Sequence, residues 1–346
     1  MGRPPTAKSA EAETGLTAAP SLRRRARRMA ALAIGLLLVA ALVYSVGLAD
    51  IVDRLRVLGP AAPLLLVPYL VINVLDTLGW RCTLPADVAR RVPFASLYLA
   101  RMAGEAVNSV TPTAAVGGEP VKAHLLRNWG VPSSDGVASV VIAKTALTVS
   151  QIGFILIGLA ALFDRLERRA LGAFWLAVLI GVGIGFTILM VRLQRRGPIS
   201  TVWRWLHRIA PHSPLVARLE ARAEAIDSRL ADFYGAERAA FRNATLLHFC
   251  GWLLGIGEVW MIMALIGVPV SVRDALIIES LAQPIRAASL FIPGGLGAQE
   301  VGGVALCTFL GVPKPAALTL WLLKRARELL FDGVGLAYLT RQTTRH

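Results

Sequence analysis

Charge is scarce in this chain of 346 residues, and acid is scarcer than base. Only 17% of residues are charged, with 22 Asp and Glu against 37 Lys and Arg, while 55% are hydrophobic. Soluble domains carry about 25% charge, and disordered chains have low hydrophobicity, so a mean hydropathy of +0.59 excludes both classes. Cysteine is nearly absent. Cys82, Cys250 and Cys307 stand in or beside apolar stretches, with no CxxC spacing and no histidine grouping, which argues against a disulfide framework or a structural zinc site. Enzyme signatures are missing as well: there is no Walker sequence, no GxSxG and no HExxH, and His124, His207, His212, His248 and His346 are scattered. The expectation is a chain without cofactor, metal or enzymatic activity. A membrane-embedded transferase using Glu119 as base is the catalytic alternative.

What the chain has instead is long apolar runs. A bilayer core about 30 Å thick needs about 20 such residues per helix, and six runs qualify: 29–48, 61–79, 136–162, 171–191, 244–267 and 315–339. Two further stretches, 93–127 and 272–310, are apolar but interrupted by Gly, Pro and acidic residues, and read as broken hairpins that either re-enter or span with tilt. The first run has no small-x-small cleavage site at its exit and reads as an anchor. Residues 1–28 are polar and read as a disordered tail ending in Arg23, Arg24, Arg25, Arg27 and Arg28. That cluster places the N-terminus in the cytoplasm.

Threading the spans from there assigns residues 1–28, 81–93, 127–135, 192–242 and 341–346 to the cytoplasm, with net charges of +5, +2, 0, +5 and +2. The outer connections 49–60, 163–170, 268–274 and 313–314 carry 0, +1, 0 and +1. The formal charge of +15 is therefore mainly an orientation signal rather than a footprint for nucleic acid. Within the long segment 192–242, Val202, Leu206 and Ile209, then Leu215, Leu219, Ala223, Ile226 and Leu230, fall at helical spacing on either side of Pro211 and Pro214. This predicts two amphipathic helices on the membrane surface or under the bundle. The plainer expectation is a solvated connector.

Self-similarity appears at a constant offset of 181 residues: Pro112 falls on Pro293, Glu119 on Glu300, Leu125 on Leu306, and Gly130, Val131, Pro132 on Gly311, Val312, Pro313. The register sets Lys144 opposite Arg325 and Gln151 opposite Asp332. It defines repeat one as 61–162 and repeat two as 242–343, within a single transmembrane domain over 29–346. An odd number of crossings separates the repeat starts, so the repeats are inverted. Inverted repeats with interrupted helices are the pattern of alternating-access transporters.

The interruptions supply the first candidate residues. Pro112, Gly117 and Gly118 precede Glu119, and Pro293, Gly294, Gly295 and Gly297 precede Glu300. Both carboxylates fall at predicted helix starts, where they serve as caps or hold part of a ligand. Ionisable residues within spans come next, because a bare charge at bilayer depth costs about 2.5 to 3.5 kcal/mol on insertion scales. Lys144, Thr148 and Gln151 share one helix face; Arg325, Glu328 and Asp332 share the matching face. Lys144 and Arg325 are the candidate phosphate-binding couple, against the alternative of internal bridges such as Arg325 with Glu328 or Glu119 with Lys122. Arg101, Glu105 and Asn108, Glu279, Gln283 and Arg286, and Asp76 and Glu258 are further intramembrane polar residues. Glu105 and Arg286 match under the offset with opposite sign, which predicts a bridge between the repeats.

The segments GGEPVKAHLL at 117–126 and PGGLGAQE at 293–300 resemble the two signature stretches of the lysylphosphatidylglycerol synthase transmembrane, or flippase-like domain, family. The resemblance covers most of 61–339. It implies an all-α polytopic bundle that moves phospholipids or related lipids between leaflets of the inner membrane. Some relatives are fused to a soluble aminoacyl transferase, which has no counterpart here, and some stand-alone members are associated with hopanoid biosynthesis. The expected partners are membrane lipids, with a second copy or a lipid-biosynthetic enzyme as possible protein partners. The alternatives are a small-solute transporter or channel, and a scaffold subunit for a lipid-modifying enzyme. The charge distribution makes one prediction. Green fluorescent protein fused after His346 fluoresces, whereas alkaline phosphatase fused at the same point is inactive; the reverse pair of results overturns the assigned orientation.

Overall fold

The computed structural model describes residues 56, 59–111, 117–167, 169–209, 214–289, 292 and 295–343. The first apolar run, 29–48, and the basic tail lie outside them. Among the described residues the structure is helical, with no strand. After a short 3-10 turn at Gly59–Leu65, twelve helices follow: α1 Leu66–Arg81, α2 Ala86–Arg91, α3 Phe94–Val110, α4 Glu119–Leu126, α5 Ser133–Arg165, α6 Arg169–Arg195, α7 Pro198–Ile209, α8 Pro214–Ala236, α9 Arg238–Leu265, α10 Val272–Ala288, α11 Ala298–Phe309 and α12 Lys314–Thr343.

Among the described residues four helical segments qualify as membrane spans by length and apolarity: Ala61–Arg81, Ser133–Arg165, Gly172–Arg195 and Arg238–Leu265. Helix α12 has the length, 30 residues, but Lys324, Arg325, Arg327, Glu328 and Asp332 keep it from being continuously apolar. The broken stretches resolve into unequal halves. Helices α3 and α10 have 17 residues each, α4 has 8 and α11 has 12. At about 1.5 Å per residue, α4 and α11 are too short to cross a core of about 30 Å.

Two halves of the chain follow one order: a long helix (α1, α9), a 17-residue helix (α3, α10), a short helix (α4, α11) and a long charged helix (α5, α12). Packing between them is reciprocal, with α3 against α12, α10 against α5, and α1 against α9. The turns that end the short helices match atom for atom. Gly130 and Gly311 both take left-handed φ, +69° and +88°, and the following valines close the turn back to Leu126 and Cys307 at 3.4 and 3.0 Å. A left-handed residue after a helix end suits glycine, which gives the shared Gly-Val-Pro run a physical reason.

Two hydrophobic cores set the relative direction of the halves. One gathers Trp80, Leu84, Leu126 and Val140 at the start of α5, with Tyr338 and Leu339 at the end of α12 packed against it. The other gathers Leu310, Val312, Leu318 and Trp321 at the start of α12, with Ala161 and Leu162 at the end of α5. Corresponding helices therefore run in opposite directions through the bundle. Peripheral α6 displays Phe174, Val182, Ile184 and Leu189 outward, as a lipid-facing helix does.

Segment 192–242 departs from a solvated connector. Helix α8 docks on the start of α5, where Leu230, Phe233 and Tyr234 cluster with Ala138 and Ile142. Arg229 holds Asp135 at 2.7 Å, and buried Tyr234, its phenol pushed by burial up to about 12, donates to Gln194 Oε1 at 2.6 Å. Of the apolar positions that suggested amphipathicity, Ala223 and Leu230 are buried, whereas Val202 is exposed.

Helix crossings rest on glycine. A Cβ on Gly335 of α12 would lie 2.3 Å from the Met102 carbonyl of α3, whereas one on Gly333 meets nothing within 4 Å. Overpacking of this kind costs about 1–3 kcal/mol, so Gly335→Ala lowers the thermal midpoint of the detergent-solubilised protein. Gly333→Ala leaves it unchanged or raises it; equal midpoints for both variants contradict the crossing.

Candidate functional site

The site starts from a requirement: each charge placed by the apolar helices has to find a partner. Near the α5-start end of the bundle, Asp76 of α1 takes Arg101 of α3 at 2.7 Å and His248 Nδ1 of α9 at 2.7 Å. Arg101 also donates to Asn73 Oδ1. One turn further along α3, Glu105 takes Lys122 Nζ of α4 at 2.6 Å, and Lys122 reaches Glu119 at 3.1 Å. The α3–α4 contact that brings these together is a backbone approach, because a Cβ on Gly118 would stand 1.8 Å from the Gly104 carbonyl. Asn108 secures the turn by accepting from the Gly118 amide at 2.7 Å.

These side chains enclose a cavity of about 370 Å³, open mouth included, lined by Asp76, Trp80, Arg101, Glu105, Glu119, Lys122, Val140, Ala143, Lys144, Leu147 and His248. Lys144 is its loosest cation. Its ammonium stands 3.7 Å from Glu119 Oε1 and its side chain is 42% exposed. The other two cations are spoken for, so an anion entering the cavity meets Lys144 first.

A second, tighter network lies farther along the same helices. Glu258 of α9 is fully buried and faces both Arg327 and Lys324 of α12; Lys324 also bridges to Glu279 of α10. Arg327 lies 3.8 Å over the Tyr69 ring. Arg325 donates to Glu300 at 2.8 Å, to Gln299 at 3.2 Å and to Glu328 at 3.1 Å, and Glu328 takes Arg286 at 2.9 Å. Glu300 caps its helix by accepting from the Gly297 amide at 2.7 Å, and Gly295 and Gly297 have φ of +62° and +78°.

The candidate residues thus divide between two places. Glu119, Lys122 and Lys144 meet at the cavity, with Gly117 and Gly118 in the turn before α4. Glu300 and Arg325 meet in the second network, and Arg325 does not line the cavity. Gln151 pairs instead with Gln283 of α10 at 3.2 Å, and Asp332 lies beside Ser109 of α3. Pro112, Pro293 and Gly294 are outside the described residues. Both internal bridges weighed from the sequence are present, Arg325 with Glu328 and Glu119 with Lys122. The bridge between Glu105 and Arg286 is not: Glu105 is taken by Lys122 and Arg286 by Glu328, each nearer on its own side.

Sequence reasoning passed over Asn73, Lys324 and Arg327, and set His248 aside as one of five scattered histidines. A signal existed for the two cations. At 100° per residue, Lys324 and Arg327 lie on a different helix face from Arg325, Glu328 and Asp332, so they needed a second set of acids.

Fold and site together define a polytopic helical membrane protein with a charged cavity at the junction of two oppositely directed halves. The chain belongs to the family described as lysylphosphatidylglycerol synthase TM region, whose model matches residues 28–334. It is 30% identical over 295 residues to a "UPF0104 membrane protein" of Methanothermobacter thermautotrophicus, covering 81% of this chain and 84% of that one. No solved structure matches.

Removing one partner of a buried pair leaves an uncompensated charge, at about 3–5 kcal/mol. Glu258→Gln leaves Arg327 without a carboxylate and Lys324 with Glu279 alone, so the yield of folded protein and its thermal midpoint both fall. Arg91→Ala, which breaks a surface pair with Asp87, changes neither. A stable Glu258→Gln protein contradicts the role given to this network.

Proposed function

We propose that this protein is a lipid translocase that moves a polar-headed lipid between leaflets of the inner membrane and performs no covalent chemistry of its own. The observation that carries the reading is the half-exposed Lys144 ammonium inside a cavity built by apolar spans. A cation kept loose at that depth is costly unless a ligand uses it. The phosphate of a lipid headgroup fits Lys144, and Glu119 and Glu105 offer acceptors for the hydroxyl or amine groups beyond it. Acyl chains stay in the bilayer and avoid a transfer cost of about 0.8 kcal/mol per CH₂.

Pseudo-symmetry supports a cycle. Lys144 and Arg325 each lie about 16 Å from the start of their own helices, and those helices start at opposite ends of the bundle. Glu119 and Lys144 are 3.7 Å apart beside a cavity, while their counterparts Glu300 and Arg325 are closed at 2.8 Å. With the assigned orientation, this is a state open toward the cytoplasmic leaflet, and exchange of the two arrangements opens the other side.

Reconstitution into liposomes containing labelled phosphatidylglycerol or prenyl-phosphate lipid tests the reading. The wild-type protein moves at least one of them faster than empty liposomes. Lys144→Met slows movement about tenfold or more, the worth of a hydrogen bond to a charged group. No movement of any lipid by folded protein rejects the translocase.

A further inference from the structure

His248 is buried, with 4% of its side chain exposed, and one of its ring nitrogens has no partner. The ring is fixed closely. Nδ1 sits 2.7 Å from Asp76 Oδ1, and the other Asp76 oxygen accepts from Arg101 at 2.7 Å. A carboxylate that accepts from a guanidinium is ionised, so Nδ1 carries the hydrogen it shares with Asp76, and Nε2 is the position left free. Gly79 makes room for that edge of the ring, since a Cβ there would lie 2.8 Å from Nε2. His248 lines the cavity beside Lys144 and Lys122. A buried polar atom is nearly always satisfied, and this one is packed against Gly79 at the edge of the cavity.

The charges around the ring balance. Asp76 faces it from α1, Arg101 and Glu105 from α3, Glu119 and Lys122 from α4, and Lys144 from α5. Those are three acids and three bases, so with a neutral imidazole the cavity has no net formal charge. Helices α10 and α12 meet α9 farther along, where Glu279 lies against Gly255 and Lys324 and Arg327 surround Glu258. A phosphodiester entering a neutral cavity within the bundle brings one uncompensated negative charge, which is expensive away from bulk water. One proton on Nε2 cancels it.

We infer that the Asp76–His248 pair is a proton site of the headgroup cavity, so that a monoanionic phosphodiester binds together with one proton. This deepens the translocase reading and rests on its cavity. Linkage makes the two ligands mutually favourable: each raises the affinity for the other by the same factor. A zwitterionic headgroup brings its own cation and binds without the proton.

Titration calorimetry on the full chain in neutral detergent, repeated in buffers of different ionisation enthalpy, counts the protons taken up on binding. Short-chain phosphatidylglycerol is expected to bind with uptake of about one proton at neutral pH, and short-chain phosphatidylcholine with none. Dimethyl phosphate distinguishes a lipid from a free phosphodiester as the source of the anion; proton uptake with either one supports the site. His248→Gln abolishes the uptake and weakens phosphatidylglycerol binding about tenfold. Lys144→Met weakens binding but keeps the uptake. Binding of phosphatidylglycerol without proton uptake, uptake that survives in His248→Gln, or no binding of either phosphodiester overturns the proposal. The wild-type comparison between the two lipids decides the matter even if the variant does not fold. Lipid movement in liposomes without proton uptake leaves the translocase standing and removes only the proton site.

Discussion

Compensation of charge away from water is the constraint on which this bundle depends. An ion pair in a low-dielectric interior returns its desolvation cost only when geometry and further hydrogen bonds are good. Here the pairs join different helices: Asp76 of α1 to Arg101 of α3, Glu105 of α3 to Lys122 of α4, and Glu258 of α9 and Glu279 of α10 to Lys324 of α12. Each acid therefore specifies a neighbour. Lipid tails compete equally well for Leu and Val faces, so apolar contact alone says little about which helix belongs beside which. The charged contacts supply that information, and close approaches at Gly104, Gly118 and Gly335 let the backbones come near enough to make them.

The two halves use one plan with different chemistry at the equivalent place. Arg325 has a planar fork with several donors, and Glu300, Gln299 and Glu328 occupy it. Lys144 has a compact ammonium on a flexible stem, and its ion-pair partner among the described residues, Glu119, stands 3.7 Å away. Guanidinium suits a fixed, many-partnered contact and ammonium suits one that forms and breaks. The carboxylates differ in the same sense. Glu300 is committed to capping α11 through the Gly297 amide, whereas Glu119 spends its oxygens on side chains.

Much of the fold was legible because the physics that sets it is local. Apolar runs gave four spans, the interruptions gave α4 and α11, and the shared Gly-Val-Pro run marked two turns whose hydrogen bonds coincide. The site was legible only in part. A repeat register aligns residues that are equivalent, and equivalent residues in oppositely directed halves sit at different depths, so Lys144 and Arg325 do not share a cavity. The same error produced the expected bridge between Glu105 and Arg286. His248 was beyond the register's reach, since its partner Asp76 is 172 positions away on a helix that meets α9 only in the folded bundle. The surroundings of segment 192–242 were left open between membrane surface, bundle and solvent because an amphipathic face looks the same whether it meets lipid, water or another helix; docking of Phe233 and Tyr234 on α5 decided it.

That docking bears on how the proposed cycle operates. Tyr234 of α8 donates to Gln194 of α6, and Gln194 donates to Thr145 of α5 at 2.8 Å. Thr145 is the residue next to Lys144, and Ala138 and Ile142 just before it are packed under Leu230 and Phe233. Helix α5 is thus held from outside along the stretch that carries Lys144. Helix α4 is 8 residues long and is seated as firmly: Lys122 with Glu105 and the Gly118 amide with Asn108 tie it to α3, and Ala123, Leu125 and Leu126 pack in the core beside Val140 of α5. Shortening the Glu119–Lys144 distance in the proposed cycle then falls to the flexible Lys144 stem, since α4 is held by its core contacts and α5 would have to drag α6 and α8 with it.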